Sequence, residues 1–288
     1  MSPSTPAALR AALRGVRAFV LDADGVLVLR GAALPGVPAA LASLDERGIP
    51  YRVATNISSL HRDTLAARFA RLGLAVSPEQ IVTALSATAD HVRRTYPGRP
   101  VFVITRPDGL REFGEHPLMS PEEADADDAR AAAVVLGDGE HDLSYENLDR
   151  AFRLIRRGAD LIAMHRNGWW YTSKGETIDT GAFVAALEYA TGARARLTGK
   201  PAAPMFRAAH RGLAAEIAAA GGSRLARRHV AMVGDHPPQD IAGARRAGLR
   251  GILVLSGRTA AGDVAGLRGL AAPAAVAAGL SEVVAALD

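Results

Sequence analysis

The stretch Phe19-Val-Leu-Asp-Ala-Asp-Gly-Val-Leu-Val-Leu29 decides how this chain folds. Its apolar run Phe19–Leu21 reads as a strand buried on both faces, and the run ends in two aspartates flanking one alanine. Side chains two apart on a strand share a face, so Asp22 and Asp24 emerge together where the strand stops. Gly25 then lets the backbone turn away without covering them. In an open parallel sheet that carboxyl edge is where ligands bind. Two bare carboxylates there cost stability unless a cation, a proton or a phosphoryl reaction occupies the place. The plain alternative is an acidic turn after a strand, and the other strand ends decide against it.

Outward from this stretch, Pro35–Gly48 reads as a helix, with Val37, Leu41 and Leu44 at helical spacing and Gly48 as its stop. Tyr51–Ser59 is a short strand ending in hydroxyl and amide side chains, followed by a helix from Ser59 to Leu72. Thr55 and Asn56 therefore stand at a second strand end, just before a helix N-terminus whose N–H groups favour an anion. A simple helix cap is the other reading of these two residues. Ser77-Pro-Glu-Gln80 is a capping box with proline at the first helical position.

From about Leu85 to Arg194 the texture changes. Strands at Val101–Thr105, Ala132–Leu136 and Asp160–His165 alternate with helices at Asp108–Glu115, Ser144–Arg157 and Gly181–Thr191. Pro117–Arg130, acidic and poor in apolar residues, reads as an exposed connection. The strand-end chemistry resumes only afterwards, with Lys200 in Thr198-Gly-Lys-Pro201, then His229–Asp235 running into Asp235 and Asp240. The expected fold class is α/β. A Rossmann-like parallel-sheet core, residues 1–84 and 195–288, carries an inserted α/β domain, residues 85–194.

Four strand ends thus offer Asp22 and Asp24, Thr55 and Asn56, Lys200, and Asp235 and Asp240. Carboxylates converging on one edge repel one another unless they hold a hard cation with oxygen ligands, and magnesium suits them. Thr55 and Lys200 would hold phosphoryl oxygens, since phosphoryl transfer is catalysed mainly by positioning and charge neutralisation. One carboxylate remains as nucleophile and one as general acid and base.

Composition narrows the alternatives. The chain has 288 residues, 49% hydrophobic and 22% charged, which is an ordinary globular balance. It has no cysteine, so disulfides and thiolate metal sites are excluded. The longest uncharged stretch, Gly31–Leu44, is fourteen residues with two prolines, too short for a bilayer span. Met1–Arg17 lacks the continuous apolar core of a secretory signal, so cytoplasmic residence is expected. With 34 basic against 30 acidic residues, scattered arginines and only 5% aromatics, neither nucleic acid nor membrane is an expected partner.

The motifs Asp22-Ala-Asp-Gly-Val26, Thr55-Asn56, Gly199-Lys-Pro201 and Gly234-Asp235 through Asp240 resemble those of the haloacid dehalogenase superfamily, in the same order across nearly the whole chain. The likeness is to its phosphatase branch with a large α/β (type II) cap inserted between the second and third motifs. Leu161-Ile-Ala-Met-His165 and Gly181–Gly192 resemble the subgroup of nucleotide, pyridoxal phosphate and phosphoglycolate phosphatases, near the phospholysine phosphohistidine inorganic pyrophosphate phosphatases. The resemblance implies that Asp22 attacks phosphorus and that Asp24 protonates the leaving oxygen, then deprotonates water. It further implies that Thr55 and Lys200 clamp the phosphoryl group with support from Asn56. Magnesium would be held by Asp22, the Asp24 carbonyl and Asp235, with Asp240 behind, partnering Lys200 or metal-bound water. His236 departs from the pattern, because relatives often place an acidic or amide residue there.

In such enzymes the cap selects the leaving group, and Met164–Lys174 is the expected selector. His165 or Arg166 would meet a polar or anionic group and Trp169 a ring, or else both tryptophans simply pack the hairpin. The expected function is a magnesium-dependent phosphomonoesterase acting on a small-molecule phosphate ester. A homodimer through the cap is also expected, since the resemblance is to proteins with this cap that commonly form dimers. Phosphotransferase or mutase chemistry, and a silent ligand-binding protein, are the rival readings; buried like charges argue against the latter.

Overall fold

The apolar runs that read as buried strands lie in one six-stranded sheet of the computed structural model, which describes residues 3–172 and 175–287. Its strands are β1 (Ala18–Asp22), β4 (Tyr51–Thr55), β5 (Ile81–Thr83), β12 (Val230–Gly234), β13 (Arg250–Val254) and β14 (Ala275–Ala277). Their order is β14-β13-β12-β1-β4-β5, and β1 pairs in parallel with both β12 and β4. Every residue of β1, β4 and β12 is buried, the signature of a sheet covered on both faces. Fully burying each Val, Leu or Ile contributes roughly 1.5–3 kcal/mol, so these three strands anchor the first unit. A short hairpin, β2 (Val28–Leu29) with β3 (Ala32–Ala33), follows the aspartate turn.

The chain divides into two compact units. The first comprises Met1–Thr55, Arg62–Val82 and Lys200–Asp288; the second comprises Asn56–His61 and Thr83–Gly199. In the second, β6 (Val101–Ile104), β7 (Ala133–Leu136), β8 (Asp160–Ala163) and β11 (Arg196–Leu197) form a parallel sheet in the order β11-β8-β7-β6. Helices Tyr145–Arg156 and Thr180–Thr191 bury Leu154, Ile155, Val184 and Leu187 in a core shared with Phe102, Val134 and Leu161. An antiparallel hairpin, β9 (Trp169–Thr172) and β10 (Gly175–Ile178), completes the unit.

Several elements differ from their sequence reading. The capping box at Ser77 forms, with its N–H donating to Gln80 Oε1 at 2.9 Å, but it closes a single 3₁₀ turn because β5 starts at Ile81. The acidic connection contains a helix, Pro121–Asp125, capped by Ser120 and held by Asp125 pairing with Arg150 and Arg153. The helices Pro6–Leu13 and Ala84–Thr95 add to those read from the sequence. Among the described residues no helix is long and apolar enough to cross a membrane.

Candidate active site

β12, β1 and β4 are neighbours in one sheet, so their carboxyl ends bring Asp235, Asp22 and Thr55 to a common edge. Asp24, Lys200 and Asp240 belong to the same unit. Lys200 Nζ lies 2.6 Å from Asp22 Oδ1 and 2.8 Å from Asp240 Oδ1, with only 3% of the lysine exposed. Asp240 stands in a five-residue π-helical turn, Pro237–Ile241, that precedes the helix Ala242–Arg246. Turns of this kind recur at functional sites because the extra residue redirects a side chain.

Carboxylate oxygens of the buried Asp22, Asp235 and Asp240 all lie within 4.8 Å of one another. Three carboxylates against the one ammonium of Lys200 leave two negative charges uncompensated, and the donor set is all oxygen. That is the chemistry a hard divalent cation satisfies, so these residues fit magnesium. The titration behaviour has the same cause. Burial first, then Asp240, push the Asp22 carboxyl well above its ordinary range, with Lys200 opposing them. Burial would lower Lys200, but Asp22 and Asp240 overcome it and hold the ammonium charged. Asp24, by contrast, is exposed. Desolvation by its crowded surroundings still raises its carboxyl, while Lys200 and then Arg258 pull it down.

The loop after β13 is a part of the site that side-chain motifs did not announce. Arg258 N–H donates to Asp235 Oδ2 at 2.6 Å, Thr259 Oγ1 donates to the Asp235 carbonyl at 2.5 Å, and Ser256 Oγ donates to the Gly25 carbonyl at 2.6 Å. Two of these bonds use backbone atoms of the motif residues and one uses a backbone donor, so no side-chain pattern in the sequence points to them. Gly25, at φ 79°, and Gly257 pack directly on the Asp235 carboxylate. A Cβ on either would overlap Asp235 Oδ2, and one on Gly257 would also stand 2.6 Å from Gly25 Cα. Gly257→Ala is therefore expected to lower stability by roughly 1–3 kcal/mol and to weaken divalent-ion binding. Thermal unfolding with and without magnesium checks this; a variant with unchanged melting and unchanged magnesium stabilisation would refute it.

His236 donates its N–H to Asp240 Oδ2 at 3.0 Å, and burial, then Arg258, lower its imidazole. The remaining expected residues lie in the second unit. Asn56 packs against Gly199, where a Cβ would stand 2.7 Å from Asn56 Oδ1. His165 is 3% exposed and its Nε2 lies 2.9 Å from Ser58 Oγ. Burial lowers its imidazole, with Asp179 and then Asp138 opposing. Arg166 is paired with Glu188. Trp169 is 56% exposed, while the side chains of 170–172 and residues 173–174 of the expected selector lie outside the described residues.

A family model described as haloacid dehalogenase-like hydrolase matches residues 19–117, and a second, HAD-hydrolase-like, matches residues 197–283. Haloacid dehalogenase-like hydrolase domain-containing protein 2 from Homo sapiens is 32% identical, over 88% of this chain and 89% of its own length. The human phospholysine phosphohistidine inorganic pyrophosphate phosphatase is 31% identical over 85% of each chain. Among solved structures, a 4-nitrophenylphosphatase from Thermotoga maritima superposes with a TM-score of 0.82 at 28% identity, covering 96% of this chain and 99% of that one. A glycerol phosphate phosphatase from Mycobacterium tuberculosis, in complex with magnesium, gives 0.79 at 25% identity, covering 94% and 77%.

Proposed function

We infer that this chain, which belongs to the haloacid dehalogenase-like hydrolase family, cleaves a small phosphate monoester with magnesium and carries the phosphoryl group transiently on Asp22. The reaction class follows from its relatives, which are named phosphatases. One observation carries the finer reading: two carboxylates two residues apart have unlike surroundings. Both carboxyls are raised, but Asp22 is buried against Lys200 whereas Asp24 is exposed. Unlike environments for a pair of acids divide the labour between nucleophile and proton donor.

In the first step an Asp22 carboxylate oxygen bonds to phosphorus as the ester P–O bond breaks, and protonated Asp24 gives its proton to the leaving oxygen. The raised carboxyl of Asp24 suits that role. In the second step the Asp24 carboxylate takes a proton from water, the water oxygen bonds to phosphorus, and the bond to Asp22 breaks, releasing phosphate. Lys200 and Thr55 neutralise and orient the phosphoryl oxygens, and Asn56 supports them. Asp22, Asp235 and the Asp24 carbonyl would hold magnesium, with Asp240 behind them on Lys200. Magnesium so held supplies charge neutralisation for the transferring phosphoryl group. The magnesium complex of the related glycerol phosphate phosphatase supports this choice of metal.

The test is phosphate release from sugar phosphates, nucleotides, pyridoxal phosphate, phosphoglycolate, phosphoamino acids and pyrophosphate, with magnesium and with chelator. Magnesium-dependent release from one class, falling to background in chelator, is expected. Silence across the whole panel would overturn the reading.

A further inference from the structure

The segment between the second motif and its helix is gripped by the ends of three successive strands. Ser58, three residues after Thr55, is 2% exposed and makes the contacts. Thr105, which follows β6, donates from Oγ1 to the Ser58 carbonyl at 2.6 Å. Asp138, just beyond β7, donates its N–H to Ser58 Oγ at 2.9 Å. His165, just beyond β8, places Nε2 2.9 Å from the same Oγ. Gly137 passes so close that a Cβ there would stand 2.9 Å from the Ser58 carbonyl oxygen. All of these residues belong to the second unit.

Ser58 Oγ accepts from the Asp138 N–H and shares a second hydrogen bond with His165 Nε2, in which either partner can be the donor. The order Ser58, His165, Asp179 suggests a nucleophile relay, but Ser58 is sealed from solvent and His165 Nδ1 is 3.9 Å from Asp179 Oδ2. The arrangement is a clamp. Gly199 N–H donates to the carbonyl of Met164, the chain neighbour of His165, at 2.9 Å.

We propose that His165 is a positioning residue for phosphoryl transfer, holding Ser58 and through it the adjoining Thr55-Asn56 segment, rather than a residue that reads the leaving group. The inference rests on the phosphatase reading above. Misplacing a phosphoryl-binding group by about 1 Å costs on the order of 100-fold in rate, so a lost clamp is a kinetic event.

The experiment compares Ser58→Ala, His165→Phe, their double variant and His165→Gln with the wild-type chain. It measures kcat and KM on p-nitrophenyl phosphate and on aliphatic phosphate esters, together with inhibition by inorganic phosphate. Both single variants are expected to lose about 10- to 100-fold in kcat/KM by the same factor for every leaving group, and to bind phosphate more weakly. The double variant should lose no more than Ser58→Ala alone, because that change already removes the His165 contact. His165→Gln, whose amide oxygen can accept from Ser58, should recover most of the activity. Circular dichroism establishes folding, and Ser58→Ala carries the test if His165→Phe does not fold. A loss that varies with the leaving group while phosphate inhibition stays unchanged would overturn the proposal, as would unaltered kinetics. A wild-type chain inert on every ester would instead overturn the phosphatase reading, and this inference with it.

Discussion

Asp22→Asn should remove turnover, by on the order of 10⁴-fold or more, while leaving the fold intact. An amide oxygen does not form a productive bond to phosphorus, so no phosphorylated intermediate can build up and the later hydrolysis step has nothing to act on. The structure adds a second expectation that separates a chemical loss from a structural one. In the metal-free protein an ionised Asp22 is disfavoured by burial and by Asp240, so neutralising it relieves strain between like charges. Lys200 keeps Asp240 as partner at 2.8 Å, so the substitution does not strand the ammonium. In chelator the variant should therefore melt no lower than the wild-type chain. Acid quenching of the wild-type enzyme during turnover of a labelled ester should leave phosphate bound to protein, and quenching of the variant should not. Retained phosphate release by Asp22→Asn would sink the nucleophile assignment.

Lys200→Met is expected to have the largest effect on stability. Removing one partner of a buried ion pair costs about 3–5 kcal/mol, because the charge left behind is neither solvated nor neutralised. Here the loss leaves Asp22, Asp235 and Asp240 together without their ammonium. The sign of the pH dependence can be stated. The folded-state pKa of Asp22 is already raised above the ordinary 3.8, by burial first and Asp240 next, and loss of Lys200 raises it further. Between the ordinary and the raised value the folded chain binds more protons than the unfolded chain. Stability therefore falls as pH rises through a window that opens near 3.8. The deficit of Lys200→Met relative to wild type should thus be smallest near the carboxylate range and largest at neutral pH, where magnesium should partly restore it. Denaturant unfolding at several pH values, with magnesium and with chelator, measures this. A deficit independent of both pH and magnesium would mean that Lys200 acts through packing and not through charge.

The long elements were legible because their signals are local. β1 and β12 are apolar runs that lead up to an aspartate, β4 is a short buried strand ending in a hydroxyl, and the helix Tyr145–Arg156 follows its Ser144 cap and buries one face. Elements with weaker local signals were not read. β5 and β14 are three residues each, and the helix Pro121–Asp125 lies in an acidic stretch where only Ser120 and Glu123 mark its start. The short π-helical turn around Asp240 is likewise invisible in the sequence, since a one-residue change in winding leaves no compositional mark.

The same division runs through the site. By itself the sequence determined which groups emerge at strand ends, because the two-residue period of a strand and its apolar boundary are local properties. Asp22, Asp24, Thr55, Asp235 and Lys200 were all named on that basis or through the family motif. Only the tertiary structure decided what each group meets. Lys200 sits on Asp22 and Asp240, the Arg258 N–H holds Asp235, and the imidazole of His165 is held against Ser58, 107 residues away in the chain. Such contacts depend on backbone donors, on glycines that admit a carboxylate, and on sheet order, which only the assembled fold brings together.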